Sequence, residues 1–224
     1  MATRTVTTAD TWALVRQERA EVLSLLSELG AQQWDTPSLC AGWRVRDVAV
    51  HMLVDAPVEE LGLSRVLLKM ARWRFSVHRA NTWWVERNAD CATSSIVERF
   101  ARSLEPGRLS RLLGAESQLR ASVIHHQDMR RPLGLPRCIP PETLTAVLDV
   151  VLTPKGSANL GSRKRSSELR LQATDVDWCW GDGPEVRGPG EAILMALAGR
   201  AIALAELEGE GKAVLAGRAQ SALA

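Results

Sequence analysis

Apolar residues recur at three- and four-residue intervals along most of the chain, and the interval shortens to two only towards its C-terminal part. Residues 8–29 predict a long helix, with Thr8 as N-cap, an apolar stripe of Trp12, Val15, Val22, Leu26 and Leu29, and Gly30 as its stop. Residues 34–43 are rich in turn formers and bracketed by Trp34 and Trp43, so they read as a loop. A second helix begins near Val45, carries Val48, Met52 and Val54 with His51 among them, and ends before Pro57. Helical patterning continues over 58–80, weakened by Gly62, and over 82–103, with Thr93 or Ser94 as a further N-cap. After the Pro106-Gly107 break, Leu109, Leu112, Leu113, Leu119 and Val123 mark a helix from about 109 to 127.

Residues 130–136 form an irregular crossing, and Pro140-Pro141 opens a short buried helix containing Leu144, Val147, Leu148 and Val151. The small, polar and basic stretch 154–167 reads as a linker. Beyond it, Leu169, Leu171 and Ala173 alternate with polar residues, and Val176, Trp178 and Trp180 continue on a shifted phase, as a bulge near Thr174–Asp175 would produce. Gly181-Asp182-Gly183 suits a hairpin turn, Pro184–Arg187 a returning strand, and 189–207 a final apolar helix. The expected organisation is therefore a mainly α bundle over 1–153, a linker over 154–167 and a small α+β domain over 168–224. No internal repeat is evident.

Composition narrows the function classes. The 224 residues suffice for one sizeable core or a bundle with a small second domain, and a net charge of +2 gives no global pull towards nucleic acid or an anionic membrane. No apolar run approaches the roughly 20 residues that cross a bilayer, and the N-terminus lacks a hydrophobic signal core, so a cytoplasmic address is expected. Cys40, Cys91, Cys138 and Cys179 are widely spaced, without a C-x-x-C pair, and read as buried thiols. Eight Trp, two Phe and no Tyr is an unusual aromatic set; core packing explains most of it, although Trp83-Trp84 and Trp178/Trp180 could line a cavity. Arg65, Lys69, Arg72 and Arg79 share one side of a helix and read as a solvated face, and the 155–165 basic run lacks the interleaved aromatics of a nucleic-acid site.

Helical bundles build metal sites by pointing side chains inward from facing helices. His51 sits within the apolar second helix, and His125-His126 lies near the end of the 109–127 helix, followed by Asp128. Neutral imidazoles about 2.1 Å from a divalent ion, with an open position for water or substrate, are the usual catalytic arrangement. No nucleophile elbow, P-loop, dinucleotide fingerprint or H-E-x-x-H is present, and Asp175 and Asp177 read as polar residues near a turn.

Three separated segments carry a resemblance. The stretch from Trp34 to His51, W-D-T-P-S-L-C-A-G-W-R-V-R-D-V-A-V-H, is similar to the N-terminal signature of the mycothiol-dependent maleylpyruvate isomerase family. H-H-Q-D-M-R-R-P-L-G, from His125 to Gly134, resembles that family's later motif. The tail around Asp175–Gly188, with A-L-A-G-R ending at Arg200, resembles its C-terminal domain. The resemblance implies a DinB-like four-helix bundle followed by a small α+β domain. It also implies a cis–trans isomerisation assisted by the thiol mycothiol, and a divalent metal, usually zinc, held by two histidines and a carboxylate.

Carried over by position, His51 and His125 are the histidine ligands. The carboxylate, expected four residues before the second histidine, falls on Ala121. Pairing with His126 instead puts Ser122 there, Glu116 lies on the opposite side of the helix, and Asp128 is the remaining acidic candidate. Three outcomes follow: a weakened metal enzyme, a site completed by Asp128 or His126, or a descendant without metal. Arg200 is the candidate for holding a substrate carboxylate, since a guanidinium fork matches that group, with Arg130 and Arg131 behind it. The expected activity is isomerase or thiol transferase on a small electrophilic or carboxylated molecule; the alternative is a non-catalytic bundle that binds a small molecule or a protein. Oligomeric state is not encoded in any of these features.

Overall fold

The computed structural model describes residues 8–158 and 160–220. They divide into two compact units, one ending at Pro136 and the other beginning at Arg137.

The N-terminal unit contains α1 (Thr8–Glu28), α2 (Ala31–Trp34), α3 (Val45–His51), α4 (Ala56–Leu61), α5 (Leu63–Arg72), α6 (Val77–Arg87), α7 (Thr93–Arg102), α8 (Arg108–Leu113) and α9 (Ala115–Arg130). Four of these close a ring: α1 packs on α7 and α9, and α3 packs on the same two helices. Val22, Leu25 and Leu26 of α1, Val48 and Ala49 of α3, Ile96 and Phe100 of α7 and Met129 of α9 meet in the centre. Each large apolar side chain so buried contributes about 1.5–3 kcal/mol. The expected bundle is thus present. Thr8 is already helical, so the residue capping α1 lies outside the described residues.

Two long expected helices are broken at backbone positions that the apolar pattern does not reveal. The 58–80 stretch divides at Gly62 (φ 80°) and again at Arg74 and Phe75, which also have positive φ. The 109–127 stretch divides at Gly114 (φ 90°), and α9 then runs on to Arg130. None of α5 is buried; Lys69 instead lays its ammonium 4.3 Å from the centre of the Trp83 ring.

The C-terminal unit holds α10 (Pro141–Leu152), α11 (Pro154–Ser157), α12 (Ser162–Ser166), β1 (Arg170–Ala173), β2 (Cys179–Trp180), β3 (Glu185–Gly188), α13 (Gly190–Leu197), a 3-10 helix (Ala201–Glu206) and α14 (Lys212–Gln220). The unit boundary falls at 136/137 rather than 153, and α10 packs on α13 within the C-terminal unit. The stretch 154–167 is no solvated linker: Ser162, Arg165 and Ser166 are buried, and Arg165 donates to the Leu197 carbonyl at 2.8 Å. Its small residues answer a packing demand, since a Cβ on Gly156 would stand 1.8 Å from the Val150 carbonyl oxygen.

The strand order is β2-β1-β3, with β1 antiparallel to β2 and parallel to β3. The hairpin therefore lies at 174–178, where a bulge was expected, and the Gly181–Gly183 turn carries the chain from one sheet edge to the other. The Asp175 carboxylate accepts from the Gly190 N–H at 2.8 Å and so caps α13. Gly199 (φ 85°) ends the apolar helix expected over 189–207, the remainder is 3-10, and α14 follows where no element was foreseen. Among the tryptophans, Trp84 and Trp178 are buried, Trp178 donating to Asp149 at 2.8 Å, whereas Trp180 is exposed. Among the described residues no helix is long and apolar enough to cross a membrane.

Candidate metal centre

His51 is the last residue of α3, and both ends of that helix are fixed. At its start, Asp47 accepts from the backbone N–H of Arg44 at 2.8 Å and from the Arg44 guanidinium at 2.9 Å. At its end, the buried guanidinium of Arg19 donates to the Met52 carbonyl at 3.2 Å and to the Ser103 carbonyl and hydroxyl at 3.0 and 2.7 Å. Burial lowers the Arg19 pKa to about 10, against the opposing pull of Asp55, so it still carries its charge at neutral pH. A cation at the C-terminal end of α3 also suits the helix dipole.

The loop before α3 is pinned as firmly. Ser38 donates to the Trp43 carbonyl through both its N–H and its hydroxyl, at 2.9 and 2.8 Å, and Gly42 takes the left-handed conformation (φ 77°) that the tight return needs. The Leu39 N–H then donates to the backbone carbonyl of Asp128 at 3.0 Å. That bond holds the loop on α9 and carries Cys40 to the Asp128 side chain.

Three side chains, Cys40, His125 and Asp128, meet there, and the His51 ring lies alongside. The His51 ring lies 4.9 Å from the Trp43 ring and 4.9 Å from the His125 ring, the two imidazole planes crossing at 84°. His125 Nδ1 lies 2.9 Å from Asp128 Oδ2, and the Cys40 thiol donates to the same oxygen at 3.1 Å. Cys40 Sγ stands 3.7 Å from His125 Nδ1. Asp128 is fully buried, while Cys40 and His125 are half-buried, so the cluster reaches the surface at one edge. Desolvation of the His51 ring, helped by His125 and partly opposed by Asp128, pushes its pKa down to about 3. His51 is therefore a neutral imidazole at physiological pH, the form that binds metal.

The neighbouring histidine does something else. Arg130 Nε donates to His126 Nε2 at 2.8 Å, which makes Nε2 the acceptor and leaves Nδ1 to donate to Glu18 on α1, also at 2.8 Å. Both His126 nitrogens are thus engaged in the α1–α9 seam, although Glu18, Glu21 and His126 bring potential ligand atoms within 4.8 Å of one another. Of the residues singled out from sequence, His125 and Asp128 come together, with the His51 ring beside that of His125 and its ligand atoms outside the close group; His126 turns to the seam. Arg200 belongs to the C-terminal unit, where its guanidinium donates to the Ala198 carbonyl at 2.8 Å. Cys40, read from sequence as one of four buried thiols, was missed as part of this cluster.

The donor chemistry fits a divalent ion of the zinc type. Sulfur, imidazole nitrogen and carboxylate oxygen are its usual ligands. Two imidazoles sharing one tetrahedral ion hold their ring centres about 5 Å apart, as His51 and His125 do.

The sequence profile of the mycothiol maleylpyruvate isomerase N-terminal domain matches residues 15–132, which include every residue of this cluster. The chain belongs to that family. Its fold agrees: a solved mycothiol-dependent maleylpyruvate isomerase matches with TM-score 0.57 at 16% identity, over 89% of this chain and 92% of the other. A histidine-to-alanine mutant of mycothiol-dependent maleylpyruvate isomerase matches with TM-score 0.59 at 14% identity, over 95% and 97%. No curated protein sequence matches the chain significantly. At these identities the solved structures establish the shared bundle and α+β architecture, and the family match establishes membership for the bundle.

Proposed function

We propose that this member of the family is a mycothiol-dependent, metal-assisted isomerase or thiol transferase acting on a small electrophilic or carboxylated substrate. The observation that carries the reading is the perpendicular His51–His125 pair, held at 4.9 Å between two helices and joined to Asp128. In this reading His51, His125 and Asp128 hold the ion, with zinc the natural occupant. When bound, such an ion would lower the pKa of a thiol enough to make it a thiolate nucleophile.

The chain's own residues supply the rest. Before an ion binds, Asp128 holds the His125 ring in place through Nδ1. The Trp43 ring packs 4.9 Å from the His51 ring. Arg200 is assigned the substrate carboxylate.

Ala121 favours a second reading, a non-catalytic bundle that binds a small molecule or a protein partner. The two are separated by turnover. Isomerisation of maleylpyruvate, and conjugation of a reactive electrophile, are followed with mycothiol present and omitted, in wild-type and His51→Ala protein. Mycothiol-requiring turnover that disappears in the variant is the expected result. No turnover of either substrate leaves the non-catalytic reading, and turnover indifferent to mycothiol overturns the part assigned to the thiol.

A further inference from the structure

We propose that Cys40 is a metal ligand of this centre, supplying as a thiolate the anionic donor that Ala121 lacks. The inference rests on the metal-binding part of the reading above and specifies the chemistry of the same site.

Position 121, one helical turn before His125, carries only a methyl group, and no backbone shift turns that into a ligand. What lies beside His125 instead is a sulfur. Cys40 Sγ, His125 Nδ1 and Asp128 Oδ2 are separated by 3.7, 2.9 and 3.1 Å. A tetrahedral zinc with bonds of about 2.3 Å to sulfur and about 2.0–2.1 Å to nitrogen and oxygen needs donor separations of about 3.3–3.6 Å. The sulfur–nitrogen distance already meets this. The two distances to Asp128 are those of hydrogen bonds and need to open by only a few tenths of an ångström.

Those bonds also show how an ion would enter. At present Asp128 Oδ2 is the common acceptor of two hydrogens, one on Cys40 Sγ and one on His125 Nδ1. A divalent ion in their place takes three donors that already point at one another. The thiol proton leaves to solvent, and the His125 proton moves from Nδ1 to Nε2. Two negative ligands, thiolate and carboxylate, then balance the charge of the ion. His51 is the adjacent neutral imidazole, and no hydrogen bond to its ring is formed among the described residues.

The other cluster on α9 shows why the thiol matters. Glu18, Glu21 and His126 also gather, but both His126 nitrogens are taken, one of them by an arginine whose charge repels a cation. At the Cys40 cluster the exchangeable hydrogens sit between the donors themselves. A thiolate ligand further selects the ion: zinc, cobalt or cadmium, and not magnesium or calcium, which prefer oxygen.

The same residues allow one competing arrangement. An ion bound to His125 Nε2 would leave Asp128 as an outer hydrogen-bond partner and Cys40 away from the metal. Cobalt(II) distinguishes the two, because thiolate ligation gives an intense near-ultraviolet charge-transfer band that nitrogen and oxygen ligands do not. Metal-free full-length protein is titrated with cobalt(II) and followed by absorption and by isothermal calorimetry, alongside Cys40→Ser, Cys40→Ala and Cys91→Ser. The expected result is one cobalt per chain with the charge-transfer band in wild type and in Cys91→Ser. Both Cys40 variants should lose the band and bind more than about tenfold more weakly, with unchanged circular dichroism. Cobalt bound at the same stoichiometry without the band, or with a band that survives in Cys40→Ala, overturns the role of Cys40 and leaves a metal site intact. Absence of cobalt from wild type overturns both.

Discussion

His51 and His125 stand edge to face on different helices, their ring centres 4.9 Å apart and their planes 84° from parallel. Neither α3 nor α9 alone defines that relationship. It depends on Arg19 at the end of α3, on the Leu39–Asp128 bond that seats the loop, and on the Glu18–His126 bond that sets the rotation of α9.

The depressed pKa of His51 has a direct consequence for stability. Its value is about 3 in the folded chain against 6.5 for the free group, so between these limits the unfolded chain binds the extra proton. Metal-free protein should therefore have this contribution intact above pH 6.5 and lose it on acidification, by at most about 1.4 kcal/mol per pH unit. Denaturant melts from pH 7 to pH 4 should show a shallower slope for His51→Gln than for wild type. Equal slopes would contradict a desolvated, neutral His51.

Asp128→Asn replaces the anionic acceptor shared by Cys40 and His125 with a neutral amide of the same size. The substitution should cost about 1–3 kcal/mol in chemical denaturation and weaken metal binding about 10–100-fold in calorimetry. A loss of stability with unchanged metal affinity would restrict Asp128 to a structural part.

Ala121→Glu restores a carboxylate one turn before His125, at a half-buried position with some room at the surface. The variant should bind zinc at least about tenfold more tightly than wild type in a competition assay with a chromophoric chelator. No gain would mean that the position does not face the ion.

Glu18→Gln removes the carboxylate that accepts from the buried His126. Losing a hydrogen bond to a charged group costs about 1.5–3 kcal/mol, so the midpoint of urea unfolding should fall. In the fraction that remains folded, metal should still bind through residues Glu18 does not touch. A stability near wild type would show that the seam is not held by this bond.

The resemblance of two sequence segments to the family's motifs made part of this centre visible. His125 and Asp128 are three residues apart on one helix, and His51 follows the tryptophan loop directly, so each lies within a short recognisable stretch. Cys40 escaped because its role depends on a tertiary hydrogen bond between Leu39 and Asp128, 89 positions apart, that no local pattern records. The unit boundary was misplaced for a similar reason: the apolar face of α10 shows that it is buried, not which partner buries it. Gly199 and Gly114 end helices whose apolar periodicity runs past them, since positive φ is a backbone demand on which side-chain hydrophobicity is silent. The parallel β1–β3 pairing likewise defeats the hairpin expectation, because a Gly-Asp-Gly turn does not say which strand the chain joins next.

The central claim is that His51 and His125 share a metal ion. Its most direct test is the metal content, by plasma mass spectrometry, of full-length protein purified without chelators, compared with His51→Ala prepared in parallel. Close to one zinc-type ion per chain in wild type, and less than about a tenth of that in the variant, is the predicted result. Equal metal in both, or none in either, would contradict it.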